Sequence, residues 1–197
     1  GVGFCYAVVD APLARWAHQH QLRRFGVFHA LQAASDLLVA LAVPALLATG
    51  WRRWRLRRFT AVDRLFWQAA LAVGAVSLFK YPLKFVFGRA WPETFYRHNP
   101  SLLTDGVYGF FPFQGVNLYG SFPSGHAAVA AAVAAILWRR APRGRGVAVG
   151  LWLAVAVGLL GAYYHFAGDV LAGTALGLWV AALVDRYDVA ADAGSRA

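Results

Sequence analysis

Long apolar runs alternate with short polar segments along the whole chain. Five runs have about the length that a helix rising about 1.5 Å per residue needs to cross a bilayer. They cover residues 36–50, 64–86, 122–138, 147–164 and 166–185. Residues 1–9 are also apolar but too few to cross about 30 Å of hydrocarbon, so we expect the end of a truncated first helix. The pattern predicts an all-α, polytopic membrane helix bundle with about five to six transmembrane helices.

Two segments between the runs are too polar to span a membrane. Residues 10–35 contain Asp10, Trp16 and three histidines, and we expect short helices that lie at the outer membrane interface. Residues 88–121 are rich in Gly, Pro, Asn and aromatic residues, which indicates an ordered outer loop over an active site. We interpret the whole chain, residues 1–197, as a single integral-membrane domain.

Composition supports a membrane protein, and the distribution of charge predicts its orientation in the membrane. Hydrophobic residues make up 59% of the chain and charged residues only 14%, outside the range of soluble domains. Nine of the 19 basic residues lie in two arginine clusters, at 52–58 and 139–145. Both clusters lie between apolar runs, as the positive-inside rule requires of cytoplasmic loops. The polar segments 10–35 and 88–121 and the corner at 164–166 then lie together outside. Clusters confined to two loops do not favour nucleic-acid binding.

The run at 122–138 begins with an unusual helix start, Pro123-Ser124-Gly125-His126. Ser121 can cap this helix, Pro123 fits near its first position, and Gly125 lets a ligand approach the backbone closely. The free N–H groups and the positive end of the helix dipole attract anions, of which we expect phosphate. The alternative is an ordinary helix start with a chance histidine.

His165 and Asp169 are four residues apart, so on a helix they share one face within hydrogen-bond reach. A carboxylate that accepts from one ring nitrogen fixes the tautomer and makes the other nitrogen a better nucleophile or base. The alternative is a structural pair between helices. An ionisable pair at membrane depth is costly, however, and this favours a functional role.

Lys80 and Lys84 are the only lysines, and both lie where a spanning run is predicted to emerge outside. This position runs against the positive-inside rule and therefore needs a reason. Snorkelling to the interface is one explanation for Lys80. We expect Lys84 and Arg89 to converge on a phosphate, with the lysine as a point charge and the arginine as a bidentate fork.

In this order and on one predicted side, these motifs resemble the type 2 phosphatidic acid phosphatase superfamily, which also includes the vanadium haloperoxidases. The family pattern is Lys followed seven residues later by Arg-Pro, then Pro-Ser-Gly-His, then Ser-Arg, five residues, His, three residues and Asp. Lys84, Pro92, residues 123–126, His165 and Asp169 match it. The resemblance covers about residues 80–173.

Two arginines of the family pattern are missing from this chain. Trp91 replaces the first, and residues 158–159 are Gly-Leu instead of Ser-Arg. Arg89 precedes Trp91 by two residues and in an extended segment would face the same way, so we expect it to supply part of the lost charge. Arg97 and His98 of the long loop are candidates to replace the second arginine.

The resemblance implies a metal-independent lipid phosphatase that hydrolyses a lipid phosphomonoester or pyrophosphate through a phosphohistidine intermediate. It implies that His165 attacks phosphorus, Asp169 orients His165, and His126 exchanges protons with the leaving group and water. The implied phosphate-binding residues are Lys84, Arg89, Ser124 and Gly125. The expected partners are the bilayer and a lipid such as phosphatidate, phosphatidylglycerophosphate, a polyprenyl pyrophosphate or a lipid A phosphate. The sequence does not choose among them or indicate an oligomeric state.

No cofactor or metal is expected, because the remaining carboxylates are scattered and His126 and His165 lack a third ligand. Arginine and alanine usage suggests a GC-rich bacterial genome. We therefore expect the inner membrane, with the active site facing the periplasm and the arginine-rich loops in the cytoplasm. The missing arginines leave one alternative, a catalytically weak scaffold or transport relative that binds anionic lipids. The membrane helices disfavour another, vanadate-dependent peroxidase chemistry.

Overall fold

The chain is a helix bundle, described here from a computed structural model at residues 1–57, 59–95 and 98–194. Within these residues there is no β-strand, only isolated bridges in the loop at 88–121. A π-helical segment, Cys5–Val9, joins the first two α-helices. The α-helices are α1 (Val2–Phe4), α2 (Asp10–Gln19), α3 (Gly26–Leu56), α4 (Ala61–Phe87), α5 (Leu102–Asp105), α6 (Gly125–Arg140), α7 (Arg145–Gly161) and α8 (Ala167–Gly194).

Four of the described helical segments are long and apolar enough to cross a membrane. They are α3, α4, the segment Pro142–Gly161 that contains α7, and the part of α8 up to Tyr187. The fifth predicted run, 122–138, forms α6, which begins only at Gly125 and has 16 residues. The prediction of an all-α, polytopic membrane bundle is confirmed, with α6 shorter than the other apolar helices.

The prediction of interfacial helices throughout residues 10–35 was wrong for residues 26–35. These residues are the first part of the 31-residue helix α3, whereas the preceding residues do form the short helices α2 and Leu22–Arg24. The cause is packing against α7. A side chain at Gly158 would overlap the backbone of Phe28 and Gln32, and one at Gly161 would overlap the Phe28 ring. This close approach outweighs the polarity of the segment.

Helix α6 lies at the centre of the bundle and packs against α4, α7 and α8. Its alanines are almost completely buried, and those that face α8 include Ala128 and Ala132. Gly177 of α8 lies so close that an added Cβ would overlap the carbonyl oxygen of Ala128. Small residues let membrane helices approach in this way, and the contact fixes α8 against the helix that carries His126.

Both arginine clusters lie at the opposite end of the bundle from the Pro-Ser-Gly-His motif. Arg139 and Arg140 end α6, which begins at Gly125. Arg52 near the end of α3 pairs with Asp63 in the first turn of α4 at 2.9 Å. A 16-residue helix is about 24 Å long, so α6 separates its two ends by most of the hydrocarbon thickness.

We predict that Gly177→Ala lowers the melting temperature of the detergent-solubilised protein, because the new methyl group must displace the backbone of α6. Overpacking of this kind costs about 1–3 kcal/mol. Gly74→Ala in α4 is the matched control, since nothing lies within 4 Å of a Cβ there and alanine is the better helix former. Equal thermal unfolding curves for the two variants would contradict the close contact between α6 and α8.

Candidate active site

The side chains of His165 and Asp169 lie against each other, as their spacing predicts. His165 lies in the turn between α7 and α8, and Asp169 in the first turn of α8. The Nδ1 atom of His165 is 3.5 Å from Oδ2 of Asp169. The same oxygen accepts hydrogen bonds from the Ser121 hydroxyl at 2.6 Å and the Phe166 N–H at 3.0 Å. The carboxylate is therefore fixed, and the Nε2 atom of His165 is left for other chemistry.

The rings of His126 and His165 face the same cavity, although 39 residues separate them in the sequence. Their centroids are 6.1 Å apart, and the cavity has a volume of about 200 Å³. Its polar lining residues are Ser35, Asp36, Lys80, Lys84, His126 and His165. Two imidazoles and two ammonium groups thus converge at one end of the bundle.

The start of α6 differs in detail from the prediction. Ser124, not Ser121, is the N-cap, and its hydroxyl accepts from the Ala127 N–H at 3.3 Å. Ser124 is fully buried, so it caps the helix and does not line the cavity as a phosphate ligand. Gly125 does line the cavity, with the Lys80 side chain against its backbone. The sequence could not distinguish the two serines because both precede the same apolar run.

Arg89 does not reach the cavity, contrary to the prediction that it binds phosphate. It is completely buried, and its guanidinium donates to Asp169 at 2.6 Å and to Asp10 at 2.7 Å. It also donates to the Tyr108 hydroxyl at 3.2 Å and lies 4.4 Å from the ring centroid of Phe166. Although burial opposes the charge, the two carboxylates raise the pKa of Arg89. Arg89 therefore holds Asp169 from the side opposite the histidine.

Asp10 is a functional neighbour that the sequence did not reveal. Besides pairing with Arg89, it accepts from the Gly168 N–H at 2.8 Å through its other oxygen. It is 1% exposed. Asp10 therefore joins the N-terminal segment to the first turn of α8. The available signal was an acidic residue directly after an apolar run, a position that needs a partner when buried.

Asp36 gives the second histidine its own carboxylate. Its Oδ1 atom is 3.1 Å from Nε2 of His126. Asp36 comes from α3, and its side chain is 61% exposed. The sequence offered a signal, an aspartate at the start of the run 36–50, which was interpreted only as part of a spanning segment. The site thus contains two histidine–carboxylate pairs.

The positions of the missing arginines are filled by apolar contacts. The Trp91 ring lies 5.4 Å from that of His165, and the Lys84 ammonium lies 5.4 Å from the Trp91 centroid and donates to the Gly120 carbonyl. Leu159 is fully buried in the bundle core. Arg97, one of the suggested replacements, lies outside the described residues, and His98 is exposed.

Burial lowers the pKa of the His165 imidazole to about 4, with Asp169 opposing and Lys84 assisting the shift. The imidazole is therefore neutral near pH 7. A neutral ring that donates from Nδ1 to Asp169 carries a free electron pair on Nε2. This is the protonation state that a nucleophilic histidine requires.

Sequence comparison agrees with this arrangement, because the sequence model of the PAP2 superfamily matches residues 65–191. The chain belongs to the PAP2 superfamily. The match includes Lys84, His126, His165 and Asp169, the members of the family pattern that line or support the cavity. Four segments of spanning length and this family membership make the chain an integral membrane protein.

The relatives of this chain include two proteins named lipid A 1-phosphatase. One is from Rhizobium johnstonii and one from Rhizobium etli, and each is 36% identical over 103 residues. The matches cover 51% of this chain and 38% and 40% of the two relatives. The chain thus spans about two fifths of the length of these relatives. No solved structure matches the chain significantly.

We predict that Arg89→Gln lowers the free energy of unfolding by about 3–5 kcal/mol, because it leaves two buried carboxylates without their cation. Chemical denaturation in mild detergent measures this loss. Arg52→Gln is the control, since Arg52 also pairs with an aspartate but its side chain is 46% exposed. Its loss should stay within about 1 kcal/mol. Equal stability of the two variants would contradict the structural role of Arg89.

Proposed function

We propose that this chain is a lipid phosphatase that hydrolyses a phosphomonoester or pyrophosphate of a membrane lipid through a phosphohistidine intermediate. The observation that carries the proposal is the pair of histidine rings 6.1 Å apart across a cavity that two lysines also line. Membership of the PAP2 superfamily supports a lipid phosphate as the substrate class. The names of the two relatives, lipid A 1-phosphatase, support the same class.

In the first step, Nε2 of His165 attacks phosphorus in line with the leaving oxygen. An N–P bond forms while the P–O bond to the lipid breaks, and the imidazole becomes positively charged. Asp169 lies 3.5 Å from Nδ1 and stabilises this charge. Arg89 and Ser121 hold the carboxylate in position, so little reorganisation is needed when the charge develops.

His126 supplies the proton that the leaving oxygen needs. Its Nε2 atom lies 3.1 Å from Oδ1 of Asp36, so this carboxylate orients the ring. After the lipid alcohol leaves, the neutral His126 takes a proton from water, whose oxygen attacks phosphorus and breaks the N–P bond. Inorganic phosphate leaves and both histidines return to their starting states. Asp36 is thus a positioning residue for His126.

Lys80 joins Lys84, the lysine of the family pattern, as the cationic lining of the cavity. Arg89 is committed to Asp10 and Asp169, and Leu159 brings no charge. The lysines, with the backbone N–H at the start of α6, stabilise the equatorial oxygens as charge spreads over them. Among the described residues, no group of three His, Cys, Asp or Glu side chains could hold a metal ion.

We expect a lipid head group to enter the site from the bilayer surface. A second cavity of about 230 Å³, lined in part by Tyr81, Asn117 and Gly120, shares Lys84 and Trp91 with the first. Both arginine clusters lie at the other end of the bundle. By the positive-inside rule the clusters are cytoplasmic, and the active site faces the periplasm of a bacterial inner membrane.

The second candidate is a catalytically weak relative that binds anionic lipids. The observation in its favour is that Trp91 and the buried Leu159 bring no charge where the family pattern has arginine. The two candidates differ in one result. A binding protein releases no phosphate, so His165→Ala leaves its behaviour unchanged.

The decisive experiment measures phosphate release from a panel of lipid phosphates and pyrophosphates by the wild type and His165→Ala. We predict release by the wild type and at least about a hundredfold loss in the variant, since nucleophile and acid–base groups contribute on this scale. An acid-labile, base-stable phosphoenzyme should be trapped in the wild type and not in His165→Ala. His20→Ala is the matched control, because His20 is exposed and its ring lies against Trp16 of the same helix turn.

The leaving group separates the roles of the two histidines. His126→Ala should still form the phosphoenzyme from a substrate with an acidic, activated leaving group, because that oxygen needs no proton. Asp36→Asn should show the same dependence in weaker form. Equal losses in His126→Ala for activated and ordinary leaving groups would contradict the role of His126 as general acid.

We also predict that vanadate inhibits phosphate release and that chelators do not. Vanadate adopts the trigonal bipyramidal geometry of the transferring phosphoryl group and so should bind between the two histidines. Release is measured after dialysis against EDTA, with and without added zinc or magnesium. Inactivation by EDTA that either metal reverses would overturn the metal-independent mechanism.

A further inference from the structure

A second group of basic side chains lies beside the active site and takes no part in the proposed chemistry. His18, Arg23, Arg24 and His29 line a separate cavity of about 380 Å³, with Glu93 and Tyr163 as neighbours. We call these four residues the N-terminal basic cluster. Positive charge at this position favours an anionic ligand.

The N-terminal basic cluster is at the end of the bundle where basic residues are least expected. Arg23 and Arg24 immediately precede α3, and His29 lies near its start. Arg52, Arg53 and Arg55 lie near the other end of the same 31-residue helix. Such a helix is about 46 Å long. If the arginine cluster at 52–58 is cytoplasmic, the positive-inside rule does not explain the positions of Arg23 and Arg24. An anionic ligand would explain them.

The backbone around the cluster is held in place. The Tyr163 hydroxyl donates to the Ala17 carbonyl at 2.9 Å and accepts from the Arg23 N–H at 3.1 Å. Nε2 of His29 lies 3.1 Å from the Arg23 carbonyl oxygen. The backbone of the turn between α2 and α3 is therefore anchored to the corner that carries His165, while the side chains of Arg24 and His29 are exposed to solvent.

Among the described residues, the arginines of this cluster have no ion pair with a carboxylate. Glu93 lies 3.6 Å from His18 and accepts from the Thr94 N–H and the Thr104 hydroxyl. Within residues 1–57, 59–95 and 98–187, no carboxylate oxygen lies within 4.0 Å of the guanidinium nitrogens of Arg23 or Arg24. Both guanidiniums can therefore donate to an incoming anion.

Aromatic rings connect this cluster to the active site. The Arg23 guanidinium is 5.8 Å from the Phe95 centroid, and Phe95 stacks on Tyr164 at 4.5 Å with an interplanar angle of 10°. Tyr164 lines the active-site cavity and lies 5.7 Å from the His126 ring. These rings therefore form a continuous series of contacts between the His126 ring and the Arg23 guanidinium.

We propose that the N-terminal basic cluster is a second anion subsite, which binds a further phosphate group on the head group of the lipid whose first phosphate is hydrolysed. This inference rests on the proposed function, because it assumes that a lipid phosphate occupies the cavity between the histidines. The preferred substrate is then a lipid with two phosphates separated by a spacer large enough to cover Phe95 and Tyr164.

The test uses two lipids of the same skeleton, one with one phosphate and one with two. For the bisphosphorylated lipid, Arg24→Gln should raise KM at least about tenfold, the loss expected for a hydrogen bond to a charged group. For the monophosphorylated lipid, KM should stay unchanged, and kcat should change for neither lipid. Arg23→Gln should act in the same way. Arg55→Gln removes the same charge at the far end of α3 and should change neither KM.

Binding to the inactive His165→Ala protein separates this inference from the proposed function. The variant should bind the bisphosphorylated lipid at least about tenfold more tightly than the monophosphorylated one, and adding Arg24→Gln should remove this preference. If the wild type hydrolyses neither lipid but this preference holds, the proposed function fails and the subsite stands. Hydrolysis of both lipids with the same KM in wild type and Arg24→Gln would overturn the subsite alone.

Two further measurements in this experiment test other sources of the anion. Phosphatidylglycerol in the vesicles, or added inorganic phosphate, should compete only weakly with the bisphosphorylated lipid at the cluster. If Arg24→Gln instead abolishes an effect of phosphatidylglycerol or of free phosphate and leaves the two-lipid preference intact, the cluster binds a neighbouring lipid or a free anion, and the proposal is wrong.

Discussion

A buried guanidinium between two carboxylates is the contact on which this end of the bundle depends. Arg89 comes from the loop after α4, Asp10 from the N-terminal segment and Asp169 from α8, and each ion-pair distance is below 2.8 Å. Burying these charges without close partners would be costly, because the interior solvates them poorly. The two carboxylates and the Tyr108 hydroxyl accept from the terminal nitrogens of the guanidinium and aromatic rings surround it, while its Nε has no hydrogen-bond partner among the described residues. Three separate parts of the chain are thereby fixed around the proposed nucleophile.

The same packing that displaces the family's Ser-Arg pair brings a new carboxylate to the site. A side chain at Gly158 would overlap the backbone of α3, so the serine of the family pattern has no room here. Because α3 lies so close to α7, Asp36, two turns beyond Phe28, reaches His126 at 3.1 Å. The departure from the family pattern and the His126–Asp36 pair are therefore two consequences of one helix contact.

Sequence reasoning succeeded where spacing on one helix or the sum of apolar length decides the result. It predicted the helical membrane bundle, the His165–Asp169 pair and the convergence of His126 with Lys84, because periodicity and the positive-inside rule are local or additive. It failed where a distant contact decides. Arg89 turns to Asp10, which is 79 residues away, and residues 26–35 join α3 because two glycines of α7 meet them. Neither partner could be identified from the neighbouring residues in the sequence.

A cavity lined by lysines and no arginine would recognise the substrate of the proposed phosphatase differently from one with guanidiniums. A guanidinium fork fixes the orientation of a phosphate through paired hydrogen bonds, whereas an ammonium acts as a compact charge on a flexible stem. In the proposed reaction, Lys80 and Lys84 stabilise the transferring group without selecting strongly among lipid phosphates. Selectivity would then come from the rest of the head group. The stacked rings of Phe95 and Tyr164, with Arg23 and Arg24 beyond them, lie where that selection would occur.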